Sequence, residues 1–359
     1  MTNRGTRKAL LLGGTGAMGT YLADILSDDG WQVTVTTRSR RATTRNNVAY
    51  VTGNAQNEDF LRDVLESGWD VVVDFMVWQT TAFRDVCGLL LKSASQYVFV
   101  SSYRVFADSE VISERSPRLL DVSEDDEYLS TDEYALAKAR QENLLRESGK
   151  DSWTIVRPAI TYSCGRFQLC TLETASWLAL ALANHAVPLP AEMLEKQTTM
   201  SWGRDVALMI SRLMGNPVAM GEDYNVCTAR HQRWSQIAEV YGRSVPLRIR
   251  EVRLEEYERA AGSVYQCRYD RMYDRIMDNS KVLSATGLFE SDLTGVEEGL
   301  SREMGRFLDA PKFPAMGRRT LGRVDRLGNN GVLTPKQYAS LFGWSGTGYA
   351  KYIIGRLLG

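Results

Sequence analysis

A short apolar run from Lys8 to Leu12 opens onto three glycines at three-residue spacing, Gly13, Gly16 and Gly19. A stretch with Leu22, Ile25 and Leu26 on one helical face follows at once. This order constrains the fold more than any other feature of the chain. The apolar run suits a strand buried on both faces, and the spacing from Thr20 to Ser27 predicts a helix. Glycine lets the turn between them adopt conformations costly for other residues and lets the backbone approach a bound group. A strand, a glycine turn and a helix in this order set amides at the positive end of a helix, where a pyrophosphate binds. The turn Gly13-Gly14-Thr15-Gly16-Ala17-Met18-Gly19 is therefore expected to hold a dinucleotide.

Further strands are expected from Gln32 to Thr36, from Val48 to Thr52, near Val71, from Gln96 to Val100 and from Trp153 to Val156. They alternate with helical stretches, which predicts an α/β fold with a doubly wound parallel sheet, and Tyr224 to Val226 returns as one more strand. The end of the second strand bears on the cofactor. An acid there would bind the ribose hydroxyls of NAD, and an arginine would accommodate the 2′-phosphate of NADP. The chain reads Thr37-Arg38-Ser39-Arg40-Arg41 with no acid, which favours NADP through Arg38 and leaves NAD open. Asn54 and Ala55 follow the third strand, where an adenine edge would lie. Phe75, Met76 and Trp78 follow the fourth.

The strand ending at Val100 is tipped by Ser101-Ser102, and strand carboxyl ends face the ligand crevice in such sheets. Ser130 and Glu133 have capping-box spacing before the helix-forming run Ala135-Leu136-Ala137-Lys138-Ala139. On that helix Tyr134 and Lys138 stand four residues apart, on one face. A nearby ammonium favours the phenolate, so Tyr134 can take a proton from a hydroxyl or return one to a carbonyl.

With these residues the chain resembles the extended short-chain dehydrogenase/reductases, the family of nucleotide-sugar epimerases and dehydratases. The likeness covers roughly residues 6 to 305. The family's Ser-Ser-x-x-Val-Tyr-Gly segment is similar to Ser101-Ser102-Tyr103-Arg104-Val105-Phe106-Ala107, which makes Ser102 the catalytic serine. Its Arg-Pro-x-x-x-Tyr-Gly segment resembles Arg157-Pro158-Ala159-Ile160-Thr161-Tyr162-Ser163. This implies that Pro158 and Ile160 touch cofactor and that Tyr162 touches substrate. Asp205-Val206-Ala207 and Asp278-Asn279-Ser280-Lys281 resemble two later family elements. The resemblance implies NAD(P), a nucleotide-sugar substrate and a catalytic set of Ser102, Tyr134 and Lys138, and it implies that Phe75 and Met76 pass beside the nicotinamide with Trp78 towards the substrate. Two departures bear on the reaction. Tyr103-Arg104 stands where the 4,6-dehydratases carry Asp-Glu, so elimination of water is not expected and Arg104 becomes a candidate substrate contact. The arginine that grips the substrate diphosphate is missing, and Lys196 occupies that region.

Transient oxidation to a 4-keto sugar, with epimerisation, is the leading expectation. A one-way NADPH-dependent ketoreductase uses the same residues. A redox-inert relative that binds RNA or protein is a third reading, against which the joint presence of Ser102, Tyr134 and Lys138 argues.

At 359 residues the chain suits two lobes. A Rossmann lobe is expected over 1–160 and 205–235. A smaller, discontinuous substrate lobe is expected over 161–204 and 236–310, with Phe167 and Arg271 as candidate contacts. A net charge of −1 gives no electrostatic case for nucleic acid. Five scattered cysteines and two unrelated histidines suggest reduced thiols, a cytoplasmic setting and no metal site. No secretory signal or membrane span is expected; Ser176 to Ala183 reads as a buried helix. Residues 311–359 carry eight Lys or Arg and one acid, Asp325, and are expected to dock on the enzyme itself or a sister subunit rather than on a membrane. The resemblance also implies a homodimer through the helices near Tyr134 to Glu147 and Thr81 to Lys92, the latter showing Phe83, Val86, Leu89 and Leu90.

Overall fold

Seven strands form one sheet in the computed structural model, which describes residues 6–314 and 317–358. The extreme ends of the expected sheet lobe and extension, at 1–5 and 359, and positions 315–316 lie outside the described residues. The strands are β1 (Lys8–Leu12), β2 (Gln32–Thr37), β3 (Val48–Thr52), β4 (Trp69–Asp74), β5 (Ala94–Val100), β6 (Trp153–Pro158) and β7 (Glu222–Val226). Their spatial order is β7-β6-β5-β4-β1-β2-β3, and all neighbours pair in parallel. The winding reverses between β1 and β4, so the ligand crevice of such a sheet opens at their carboxyl ends.

Strand periodicity explains why these segments are apolar throughout. Ala9 and Leu11 enter one core while Leu10 and Leu12 enter the other; Val71 and Val73 likewise oppose Val72. The first core is covered by the Gly19–Asp28 and Gly203–Leu213 helices, and the second by the Thr80–Leu90 and Tyr134–Arg146 helices. In the Thr80–Leu90 helix, Phe83, Val86 and Leu90 are all buried in the protomer's own core, and Leu89 is half-buried. Thr81, Ala82, Arg84, Asp85 and Gly88 are what it exposes. The surplus apolar face on which a two-fold interface was expected is therefore absent from this helix.

The chain separates into two compact units: Met1–Thr161 with Gly203–Ala229 and Met277–Leu293, and Tyr162–Trp202 with Arg230–Ile276 and Thr294–Gly359. Residues 277–293, expected in the substrate lobe, instead complete the first unit. Asp278 donates its amide to Ile112 at 2.8 Å, Asn279 donates to the Cys227 carbonyl at 2.8 Å, and Val282 enters the sheet core.

In the second unit the Thr174–Leu182 helix is buried on every side, so it carries no polar face. The Arg318–Leu327 helix of the basic extension packs on it and on the Gly346–Leu358 helix. Asp325 holds this arrangement together. It is fully buried, with His185 Nδ1 at 2.8 Å and the Tyr352 hydroxyl and Arg356 guanidinium at 2.5 Å. The extension thus docks on its own chain. No helix among the described residues is long and apolar enough to cross a membrane.

Candidate dinucleotide and catalytic site

Gly13, Thr15, Arg38, Asn54, Ala55, Phe75 and Met76, scattered over four strand ends, line one cavity of about 290 Å³. Parallel register brings them together: Leu12 is opposite Asp74, Val35 opposite Leu11, and Thr37 opposite Thr52. Gly13 sits at φ +67°, and a Cβ there would lie 2.7 Å from the Met76 sulfur. A Cβ on Gly19 would lie 2.5 Å from the Gly14 carbonyl oxygen. These two positions therefore exclude a side chain, one through conformation and one through close approach. The turn between them, with Gly14, Gly16, Ala17 and Met18, delivers the chain to a helix whose N-terminus no side chain caps. Such an end fits a pyrophosphate.

Thr36, Thr37, Gly53, Gln56 and Val77 line the same cavity and escaped the sequence reading. Thr36 Oγ1 accepts the Gly13 amide at 2.8 Å, and Gln56 donates to the Val77 carbonyl at 2.9 Å. Hydroxyl residues at the tip of β2 were the available signal. Pro158 and Ile160 are buried around the end of β6.

The two serines after β5 divide their work. Ser101 Oγ donates to the buried Glu142 at 2.7 Å, while Ser102 Oγ accepts the Arg104 amide at 3.2 Å. Arg104 pairs with Glu133 at 2.5 Å, and its guanidinium lies 5.2 Å from the centre of the Tyr134 ring. Ser102 is thereby tied through one short turn to the residue beside the phenol. The expected capping box from Ser130 and Glu133 does not form. Ser130 closes its own short helix by bonding Glu127, and Glu133 caps the Tyr134–Arg146 helix by accepting the Ala135 amide at 2.7 Å.

Tyr134 is the first, half-buried residue of that helix. One turn later Lys138 is buried, donating to the carbonyls of Val100 at 2.8 Å and Met76 at 3.1 Å over the Phe99 ring. Met76 also lines the dinucleotide cavity, so Lys138 connects the phenol-bearing helix to it. Burial lowers the Lys138 ammonium to about 8 despite the attraction of Asp74 and Glu142. Burial likewise raises the Asp74 carboxyl, against hydrogen bonds from Tyr97 and Trp78.

Asp74 also fixes the loop after β4. Its oxygens accept from the Met76 amide at 2.8 Å, the Trp78 indole at 2.8 Å and the Tyr97 hydroxyl at 2.7 Å. Trp78 is consequently 2 % exposed, and the substrate contact expected of it is corrected to loop support. Deeper still, Glu142 receives Arg157 at 2.7 and 2.8 Å, and both side chains are buried. Burial pushes the Glu142 carboxyl up, but Arg157 and Arg146 outweigh it and hold it at about 2.

The substrate contacts expected in the second unit are mostly corrected as well. Phe167 is fully buried, edge-on to Tyr241 and Phe307. Arg271 is buried against Asp270, the Cys170 carbonyl and Gln168. Tyr162 is buried so closely against Gly299 that a Cβ there would overlap its hydroxyl. Each is consumed by packing in its own unit. Lys196 differs: it is half-buried, and no carboxylate pairs with it among the described residues.

Residues 13–169 match a protein family described as NAD(P)H-binding. A curated relative is the chloroplast stem-loop binding protein of 41 kDa b of Arabidopsis thaliana, 23 % identical over 65 % of this chain and 61 % of that protein. The chain thus spans about three fifths of the length of that relative. Among solved structures, the UDP-glucose 4-epimerase of Bifidobacterium longum, in complex with NAD+ and UDP, superposes with a TM-score of 0.65. It is 16 % identical over 85 % of this chain and 99 % of its own. An epimerase of Methanothermobacter thermautotrophicus gives a TM-score of 0.64 at 15 % identity, over 85 % and 93 % of the two chains.

Proposed function

For a chain with the fold of an extended short-chain dehydrogenase/reductase and an NAD(P)H-binding domain, we propose nucleotide-sugar 4-epimerase activity. The observation that carries this reading is the bond from Lys138 to the Met76 carbonyl, which joins the Tyr134 helix to the wall of the dinucleotide cavity. Tyr134 takes the proton of the sugar's C4 hydroxyl, and Ser102 donates a hydrogen bond to the reacting oxygen. The bound nicotinamide supplies a hydride acceptor and then a donor. Lys138 keeps positive charge next to the phenol, which favours its ionised form. After the 4-keto sugar turns over, Tyr134 returns the proton. The resemblance to nucleotide-sugar enzymes supports the substrate class, and Arg104, beside Tyr134 in the first unit, is the side chain proposed to meet it.

A specific observation favours a second reaction on the same residues. Arg38, exposed at the rim of the cavity with no acid beside it, suits NADP, the usual cofactor of a one-way ketoreductase. Incubation with UDP-hexoses separates the two. Interconversion without net change in nicotinamide absorbance supports the epimerase, and stoichiometric NADPH consumption supports the reductase. Neither signal, with stem-loop RNA bound instead, would place the chain with its Arabidopsis relative.

Two expectations follow for the cofactor. Arg38→Ala should weaken NADP(H) by about 10- to 100-fold, the effect of losing a hydrogen bond to a charged group, and spare NAD(H). Equal losses for both cofactors in a binding titration would remove Arg38 from the discrimination. Lys138 is a base with a lowered pKa, so it loses its charge as pH rises past about 8. Affinity for NADP(H) should therefore fall between pH 7 and 9 in the wild type; an unchanged affinity across that interval would contradict a role for its charge.

A further inference from the structure

The second unit contains a cavity of about 870 Å³ between the Arg248–Glu251 strand, the Leu254–Ala261 helix and the Arg318–Leu327 helix. That volume lies within the range of small-molecule sites. Five arginines line it, Arg250, Arg253, Arg259, Arg323 and Arg326, against two acids, Glu251 and Glu256. Among the described residues, only Arg253 of these five has an ion pair, with Glu255 at 3.4 Å. Backbone carbonyls orient three of the others instead. Arg323 donates to Ala260 at 2.9 Å, Arg326 to Arg356 at 2.8 Å, and Arg259 to Glu255 at 3.1 Å. A carbonyl fixes a guanidinium without cancelling its charge. The cavity therefore presents several arginines that are held in place and not neutralised.

We infer that this cavity binds a small molecule bearing two or more linked phosphates. Arginine forks match phosphate oxygens in pairs, so five of them exceed what one phosphate uses. Among the described residues no aromatic side chain lines the cavity to stack on a base. The recognition would rest on the phosphate chain itself. The lining residues all belong to the second unit, and those of the dinucleotide cavity all belong to the first.

Inorganic tripolyphosphate is the probe, titrated calorimetrically into the full-length protein saturated with NADP(H). One site is expected, with inorganic monophosphate binding at least about tenfold more weakly. The double variant R250E/R259E should weaken tripolyphosphate by about 100-fold or more, since each lost charge-assisted contact is worth about tenfold. Both side chains are exposed, so the variant should fold, which an unchanged melting temperature verifies. R38A should leave the titration as in the wild type. Binding that ignores R250E/R259E, equal binding of monophosphate, or binding of a stem-loop RNA with none of tripolyphosphate would each overturn the inference.

Discussion

Tyr134→Phe is expected to lower turnover by about 10²- to 10⁴-fold, the usual contribution of a positioned proton-transfer group, while leaving cofactor affinity unchanged. The substitution deletes one oxygen. The ring keeps its place at the head of the Tyr134–Arg146 helix, because Glu133 caps that helix through the Ala135 amide and not through the phenol. The contact between Arg104 and the ring face also survives, since it uses the π-system. Lys138 keeps both carbonyl partners. Everything that builds the site therefore remains, and only the proton carrier is lost. Rates and cofactor dissociation constants measured side by side test this. Wild-type turnover in the variant would eliminate Tyr134 from the chemistry, and a collapse of cofactor affinity would show that the hydroxyl acts in binding.

Glu142→Gln is expected to cost about 3–5 kcal/mol of stability, the cost of leaving a buried charge without its partner. Arg157 is 1 % exposed and donates from Nε and Nη2 to the two oxygens of Glu142. The amide could still accept from Ser101, but it carries no charge to offset Arg157. Asp223, the other carboxylate on Arg157, sits at the edge of the pair and is partly exposed. Urea unfolding at pH 7 measures the loss, and a change below about 1 kcal/mol would sink the argument. Acid titration adds a sign. The folded-state pKa of Glu142, about 2, lies below its ordinary value of 4.5. Its contribution is fully present above pH 4.5 and is lost as pH falls from there towards 2. The wild type should therefore lose its advantage over the variant across that interval.

The first unit was legible from sequence because its signals are local. A strand buried on both faces must be apolar at every position, and a glycine that excludes a Cβ at 2.5 Å cannot be anything else. Ser102 could be preferred to Ser101 by resemblance, and the bond from Ser101 to Glu142 now gives the physical reason. The substrate contacts were harder to read. Arg271 and Phe167 lie in polar or aromatic runs that look the same whether they face a ligand or a core. Their burial is decided by Asp270, Gln168, Tyr241 and Phe307, up to 140 positions away along the chain. Trp78 failed for the same reason, since its partner Asp74 looked like the end of a strand and not like a buried acceptor. The capping box failed because two residues at the correct spacing belonged to different helices.

The interleaving of the two units has a consequence for how the chain is made. The first cannot close until Met277–Leu293 is available, and the second needs Tyr352 and Arg356 to reach Asp325. Domains ordinarily fold in order of emergence from the ribosome. Here the first unit, its seven strands already made by Val226, must wait for its last segment while most of the other unit is translated. The clasp of that other unit, made by Tyr352 and Arg356, is synthesised well after His185 and Asp325. Asp325 and its partner His185 thus lack the Tyr352 hydroxyl and the Arg356 guanidinium until both have been made, which leaves the nascent second unit dependent on being shielded over that interval.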